Sequence, residues 1–201
     1  MNEPMPDRWQ GYYDATAGRP PRHTLVTALQ GFEREGIGPA LALDLGCGAG
    51  RETLPMLRAG WRVVAIDSTS EGLERLRAAL EPGLQAQLTL REDRLETADL
   101  PLAKLVNASF VLPFLEKEAF LDLWQRINRA LEKGGRFAGQ LFGPDDSWVR
   151  RGTCHGHDRL EIDRLTKDYA VELLEEESHE GITPRGTTKY WHIWHLVLHK
   201  P

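Results

Sequence analysis

Three glycines on alternate positions, Gly46, Gly48 and Gly50, follow directly on an apolar run, Leu41-Ala42-Leu43-Asp44-Leu45. The run has the make-up of a buried parallel strand, and the glycines that of a turn leaving its carboxyl end. A turn with so little side chain lets a ligand come close to the backbone. A helix after that turn points its unpaired N–H groups at the same ligand. A second apolar run, Arg62-Val63-Val64-Ala65-Ile66-Asp67, ends in an acid. Strand, glycine turn, helix, strand, acid is the plan of a nucleoside-binding βαβ unit, with Asp67 placed to bond ribose hydroxyls.

A dinucleotide site wants the spacing G-x-G-x-x-G, whereas this turn has G-x-G-x-G with Asp44 two residues before it. The D-x-G-x-G-x-G pattern resembles the class I S-adenosylmethionine-dependent methyltransferases. Further motifs carry the same resemblance: Asp93 in the charged loop Arg91-Glu92-Asp93-Arg94, the run Leu131-Glu132-Lys133-Gly134-Gly135 before a strand, and the closing strand Lys189 to Lys200. It extends from about Trp9 to Lys200. Small members of tellurite-resistance and thiopurine type are the nearest in shape.

That resemblance implies an α/β fold with a doubly wound, Rossmann-like seven-stranded sheet of order 3-2-1-4-5-7-6 and an antiparallel C-terminal strand. It implies S-adenosyl-L-methionine as cofactor and S-adenosyl-L-homocysteine as product. The residues matched to the cofactor are Asp44, Gly46, Cys47, Gly48, Asp67, Ser68 and Asn107. Asp93, Arg94 and Leu95 match the adenine side, and Arg19 is placed to reach the cofactor's carboxylate. One departure stands out: where many members carry an acid before the fourth strand's core, this chain has Ala103 and Lys104. Asn107, Ser109 and Phe110 then form the expected wall beside the methyl.

These residues need elements to hold them. Leu25, Ala28, Leu29 and Phe32 have helical spacing and stop at Gly36; Leu54 and Leu57 suggest a short helix with Pro55 in its first turn. Ser68 with Glu71 reads as a capping box before the stripe Leu73, Leu76, Leu80. A third strand follows at Gln87 to Leu90, and a fourth runs from Lys104 toward Phe114. Phe120, Leu123, Trp124, Ile127 and Leu131 make an amphipathic helix whose aromatics are core. A fifth strand spans Arg136 to Phe142, a helix Asp158 to Asp168, and a sixth strand Ala170 to Glu177. The whole reads as a single domain, 1–201, with residues 1–36 as an N-terminal lid and helix and 37–201 as the cofactor-binding core.

Ligands of open α/β sheets sit beyond the carboxyl ends of the strands. That places the acceptor pocket on Phe142, Asp146 and Trp148, roofed by Tyr12 and Tyr13 of the aromatic segment Arg8 to Pro21. No strong base stands out there, so no catalytic residue is assigned, and the acceptor expected is already nucleophilic, such as a thiol or a soft anion.

Composition sets the outer bounds. A chain of 201 residues, 41% hydrophobic and 27% charged, fits a globular domain, and its net charge of −5 argues against a nucleic-acid partner held through phosphates. There is no apolar run of membrane-spanning length and no signal-like N-terminus, so a cytoplasmic location and no membrane partner are expected. Two cysteines make no disulfide framework. Cys154, His155, His157 and Asp158 are too tightly spaced, with no second ligand pair, to read as zinc, so no metal is assigned. His192 falls on the opposite strand face from His195 and His199.

The reading is a methyltransferase acting on a small-molecule nucleophile, with its oligomeric state open. The rival of another class is a non-catalytic protein that binds the same cofactor as a sensor or regulator. A nicotinamide oxidoreductase is the third.

Overall fold

The structure, a computed structural model, describes residues 5–201. Residues 1–4 of the expected lid lie outside the described residues. The apolar runs become β1 (Leu41–Leu45), β2 (Arg62–Asp67), β3 (Leu88–Glu92), β4 (Ala103–Ala108), β5 (Leu131–Phe142), β6 (Ala170–Ile182) and β7 (Thr188–His199). They form one sheet of order β3-β2-β1-β4-β5-β7-β6, the order expected from the resemblance. The strands from β3 to β5 are parallel, and β7 runs antiparallel to both β5 and β6.

The helices are α1 (Met5–Thr16), α2 (His23–Arg34), α3 (Thr53–Arg58), α4 (Ser70–Ala78), α5 (Lys117–Ala130), α6 (Ser147–Arg150) and α7 (Arg159–Thr166). Leu25 and Phe32 of α2, Met56 of α3 and Leu76 of α4 cover one sheet face. Phe120 and Ile127 of α5 and Ile162 of α7 cover the other. Central strands are buried on both faces, which is why β1 and β4 show no alternation and why the polar Asp44 and Asn107 within them are bonded to one another.

Several local readings shift. The N-terminal aromatic segment, expected as a cover, is a helix for most of its length. The capping box expected at Ser68 and Glu71 does not form: Thr69 caps α4 without a side-chain bond, because its hydroxyl donates to Asp67 instead. A capping box does form at Asp158 and Glu161, opening α7. Strand β5 begins at Leu131 and runs through the Gly-Gly pair. A Cβ at Gly135 would lie 2.8 Å from the carbonyl oxygens of Lys104 and Glu132, so the strand can pass only as glycine. Strand β6 reaches Ile182 despite its acids, because it is an edge strand whose exposed side chains need no core.

One buried ion triad fastens α2 to the far half of the sheet. Arg136 on β5 is 1% exposed, and its guanidinium donates to Glu35 after α2 (2.5 and 3.0 Å) and to Glu172 on β6 (2.6 and 2.7 Å). It lies 4.6 Å over the Phe32 ring. Gly31 makes room for it: a Cβ there would sit 2.4 Å from Arg136 Nε.

Removing the acids strands a buried cation, whereas removing the arginine leaves carboxylates that reach water. We therefore expect Glu35→Gln/Glu172→Gln to lower the unfolding free energy by about 3–5 kcal/mol, and Arg136→Met by clearly less. Urea unfolding measures both; the opposite order would contradict the triad's assigned role.

Candidate cofactor and acceptor cleft

The glycine turn is held from below and from the side. Gly46 and Cys47 N–H groups both donate to the Ile66 carbonyl of β2 (2.8 and 3.1 Å). Gly46, Gly48 and Gly50 have φ of 68°, 49° and 88°, a region that side chains disfavour. Close packing adds to this: a Cβ at Gly46 would meet Val111 at 2.5 Å, and one at Gly50 would meet Leu76 at 2.3 Å.

Asp67 closes the turn from β2. Its Oδ2 accepts from Gly48 N–H (2.8 Å) and its Oδ1 from the N–H and hydroxyl of Thr69 (2.9 and 2.7 Å). Three donors fix the carboxylate, and the Thr69 hydroxyl among them can rotate away to leave room for an incoming one. Beneath the turn, Asp44 is 1% exposed. It accepts from the Thr53 hydroxyl at the start of α3 (2.5 Å) and from Asn107 Nδ2 on β4 (2.7 Å). Burial, reinforced by the nearby Glu52 carboxylate, pushes Asp44 up to about 7 against these two donors.

A cleft of about 1660 Å³ runs over the strand ends. Of the residues read from sequence, Gly46, Cys47, Gly48, Asp67, Ser68, Arg94, Leu95, Arg19, Tyr12, Tyr13 and Trp148 line it, as do Ser109 and Phe110. Five do not. Asp44 and Asn107 are buried beneath the turn and bonded to one another. Asp93 donates its N–H to the Asp67 carbonyl, but its carboxylate is taken by Arg91 at 2.9 Å. Phe142 and Asp146 are both fully buried. They support the pocket wall from behind rather than line it.

Asp146 is the clearest case. Its carboxylate accepts Lys189 Nζ at 2.5 and 2.7 Å, with both side chains 0% exposed, and it caps α6 through Trp148 N–H. The Lys189 ammonium lies 3.7 Å from the Trp148 ring, 3.9 Å from Trp191 and 4.6 Å from Phe142. Aromatic contacts then run on along the cleft, from Trp191 to Trp148 (5.6 Å), Trp148 to Phe114 (6.0 Å) and Phe114 to Trp9 (5.6 Å).

Helix α1 covers the turn. The Tyr13 hydroxyl shares a hydrogen bond with Thr69 Oγ1 (2.8 Å), and its ring lies against Gly48, where a Cβ would meet it at 2.9 Å. Burial, with Asp67 nearby, pushes the phenol up. Asp14 of the same helix pairs with Arg75 on α4 at 2.6 Å.

Sequence reasoning passed over several lining residues. Glu52 is nine-tenths buried and faces the guanidinium groups of Arg22 and Arg51, each at 3.7 Å. Its Oε1 has no hydrogen-bond partner, and burial raises its pKa. The signal was present: an acid in the first turn after a glycine motif, beside a basic residue. Trp191 and Lys189 read only as parts of a final strand. A lysine near the start of a strand rich in aromatic and aliphatic residues was the clue, but its partner lies 43 residues away.

The sheet order and the glycine-turn cleft define the class I methyltransferase fold. Residues 42–135 match the methyltransferase-domain family. No curated protein matches the chain. Among solved structures it is similar to TehB from Haemophilus influenzae, at 17% identity and TM-score 0.72, over 97% of this chain and 66% of that one. The chain thus spans just under two thirds of TehB. It is similar to magnesium protoporphyrin IX methyltransferase (ChlM) from Synechocystis PCC 6803 with bound S-adenosylhomocysteine, at 13% identity and TM-score 0.72, over 98% and 95% of the two chains. It is also similar to the N-methyltransferase NodS from Bradyrhizobium japonicum WM9 in complex with S-adenosylhomocysteine, at 16% identity and TM-score 0.66, over 96% and 98%. These likenesses show that the chain has the fold of these methyltransferase structures, with residues 42–135 matching the methyltransferase-domain family. No helix among the described residues is long and apolar enough to cross a membrane.

Asp44 generates a pH prediction. Its ordinary value is 3.8 and its folded value is about 7, so between those pH values the folded chain keeps a proton that the unfolded chain has lost. Its contribution to stability is present below pH 4 and declines as pH rises to 7. Asp44→Asn should therefore gain on the wild type across that window, by an amount on the order of a few kcal/mol, and hold level above it. Denaturation of both proteins at a series of pH values checks this; parallel curves would contradict it.

Proposed function

We propose that this domain transfers a methyl group from S-adenosylmethionine to a small-molecule nucleophile by in-line displacement. The observation that carries the reading is the charge pattern along the cleft. At one end Asp67 is presented beside the glycine turn, with Tyr13 of α1 lying over Gly48. At the other, Glu52 keeps an unpartnered oxygen between Arg22 and Arg51. An acid for a diol at one end, and an acid with guanidinium groups for an amino acid at the other, match the two ends of this cofactor. Arg94, Leu95 and Arg19 also line the cleft; on this reading the first two belong to the nucleoside and Arg19 to the methionine end.

When bound, the cofactor supplies a methyl group made electrophilic by its sulfonium. The chain's own part is positional. The glycine turn and Asp67 set the depth of the nucleoside, while Ser109 and Phe110 at the end of β4 wall the space beside it. Helix α1, clamped through Tyr13 and Asp14, shuts water out of the cleft. Holding two reactants in line supplies about 7–11 kcal/mol of barrier reduction in favourable cases, so such a site can work with little acid–base help. A small acceptor fits a cleft of this size beside the cofactor, and ChlM, by its name, acts on one.

Two measurements test this reading. Asp67→Ala should weaken S-adenosylhomocysteine binding by roughly ten- to a hundredfold, about 1.5–3 kcal/mol, with the fold retained by circular dichroism. Unchanged affinity, or tight NAD binding in its place, would refute the cofactor assignment. Deleting residues 1–18 should abolish turnover of an identified acceptor while most cofactor affinity survives. Full turnover in the deleted protein would remove α1 as the cover, and binding without turnover of any nucleophile in the intact protein would favour a sensor.

A further inference from the structure

Three of the rings along the acceptor side already have a protein cation against one face. Lys189 Nζ lies 3.7 Å from the Trp148 ring and 3.9 Å from Trp191, and the Arg22 guanidinium lies 4.2 Å from Phe110. A cation held on one face of an aromatic ring draws on the negative potential of its π system. A second cation on the opposite face meets a weakened attraction and a like charge close behind it.

The surrounding charges point the same way. Glu52 stands between Arg22 and Arg51, and Glu177 accepts from His179 and His195. Asp146 holds the Lys189 ammonium in place against the Trp148 and Trp191 rings. Arg151 reaches the cleft beside Trp148 with its Nε on the Ser147 carbonyl. The acids are thus tied to bases, and at least one guanidinium remains in excess over the Glu52 carboxylate.

We propose that the methyl acceptor is a planar aromatic anion, stacked on the wall of Trp148, Trp191 and Phe110 with its charge toward Arg22 and Arg151. This rests on the methyltransferase reading above and narrows its acceptor. A flat conjugated ligand matches indole and phenyl faces; an anion is attracted where an ammonium is turned away. The same wall that stacks the acceptor thereby selects its charge.

The test uses three probes of similar shape, α-naphthoate, α-naphthalenemethanol and α-naphthylmethylammonium, titrated by calorimetry into full-length protein saturated with S-adenosylhomocysteine. Naphthoate should bind about tenfold tighter than the alcohol, with the ammonium weakest. Arg151→Gln, a change at the rim, should shrink the naphthoate advantage and leave S-adenosylhomocysteine affinity unchanged. Lys189→Met/Asp146→Asn removes the ammonium from the ring faces without leaving a buried unpaired acid, and should raise the ammonium probe above the alcohol. Equal affinities for naphthoate and alcohol, or an ammonium that binds tightest in the wild type, would overturn the proposal. If S-adenosylhomocysteine itself does not bind, the methyltransferase reading fails separately, and the order of the three probes on the unliganded protein still decides this one.

Discussion

A carboxylate shut away from water has to be held by donors, and the site depends on how Asp44 is held. Its two donors come from different elements, Thr53 from the start of α3 and Asn107 from β4. Those bonds set the height of α3 and the register of β4 directly under the glycine turn. With the floor fixed, Asp67 can tie the turn from β2 through the Gly48 N–H, and α1 can come down on it through Tyr13 and Thr69. The cleft is therefore built from a buried carboxyl group upward. The glycines themselves present bare backbone upward, covered by Tyr13, while Asp44 and its two donors support the turn from underneath.

That division explains what could be read from residue types alone. The glycine spacing and the strand-end acid are local signals, contained within 24 residues from Asp44 to Asp67, and their structural placement agrees with them. The strand order follows from the resemblance as a whole. Asn107, Phe142 and Asp146 were read as wall residues because each lies at or near a strand's carboxyl end. The structure buries all three. Whether such a residue faces the ligand or supports what does is decided by partners distant in sequence, 63 residues away for Asn107 and 43 for Asp146. No local periodicity carries that information. The capping box fails for a local reason: the helix is capped at Thr69 rather than Ser68, and the Thr69 hydroxyl is bonded to Asp67 two residues back.

The aromatic wall of the cleft is assembled from widely separated pieces of the chain. Trp9 comes from α1, Phe110 and Phe114 from beyond β4, Trp148 from α6 and Trp191 from β7. What unites the C-terminal part is the buried Lys189–Asp146 pair. Burying two charges is costly unless they are paired closely and bonded further. Asp146 also caps α6, and the ammonium also rests on three rings. The pair thus fixes the orientation of the wall rather than adding much net stability. The Arg136 triad plays a comparable part for α2, holding the layer from which Arg22 enters the cleft. In both places a buried cation orders the elements around a space meant for a ligand.

The central claim is that the cleft above the glycine turn takes S-adenosylmethionine. Native mass spectrometry of the freshly purified protein, followed by denaturation and identification of whatever small molecule is released, tests it most directly. The account predicts S-adenosylmethionine or S-adenosylhomocysteine, one per chain, lost when Asp67 is replaced by alanine. Release of a nicotinamide dinucleotide, or full retention of the adenosyl ligand by the alanine variant, would contradict it.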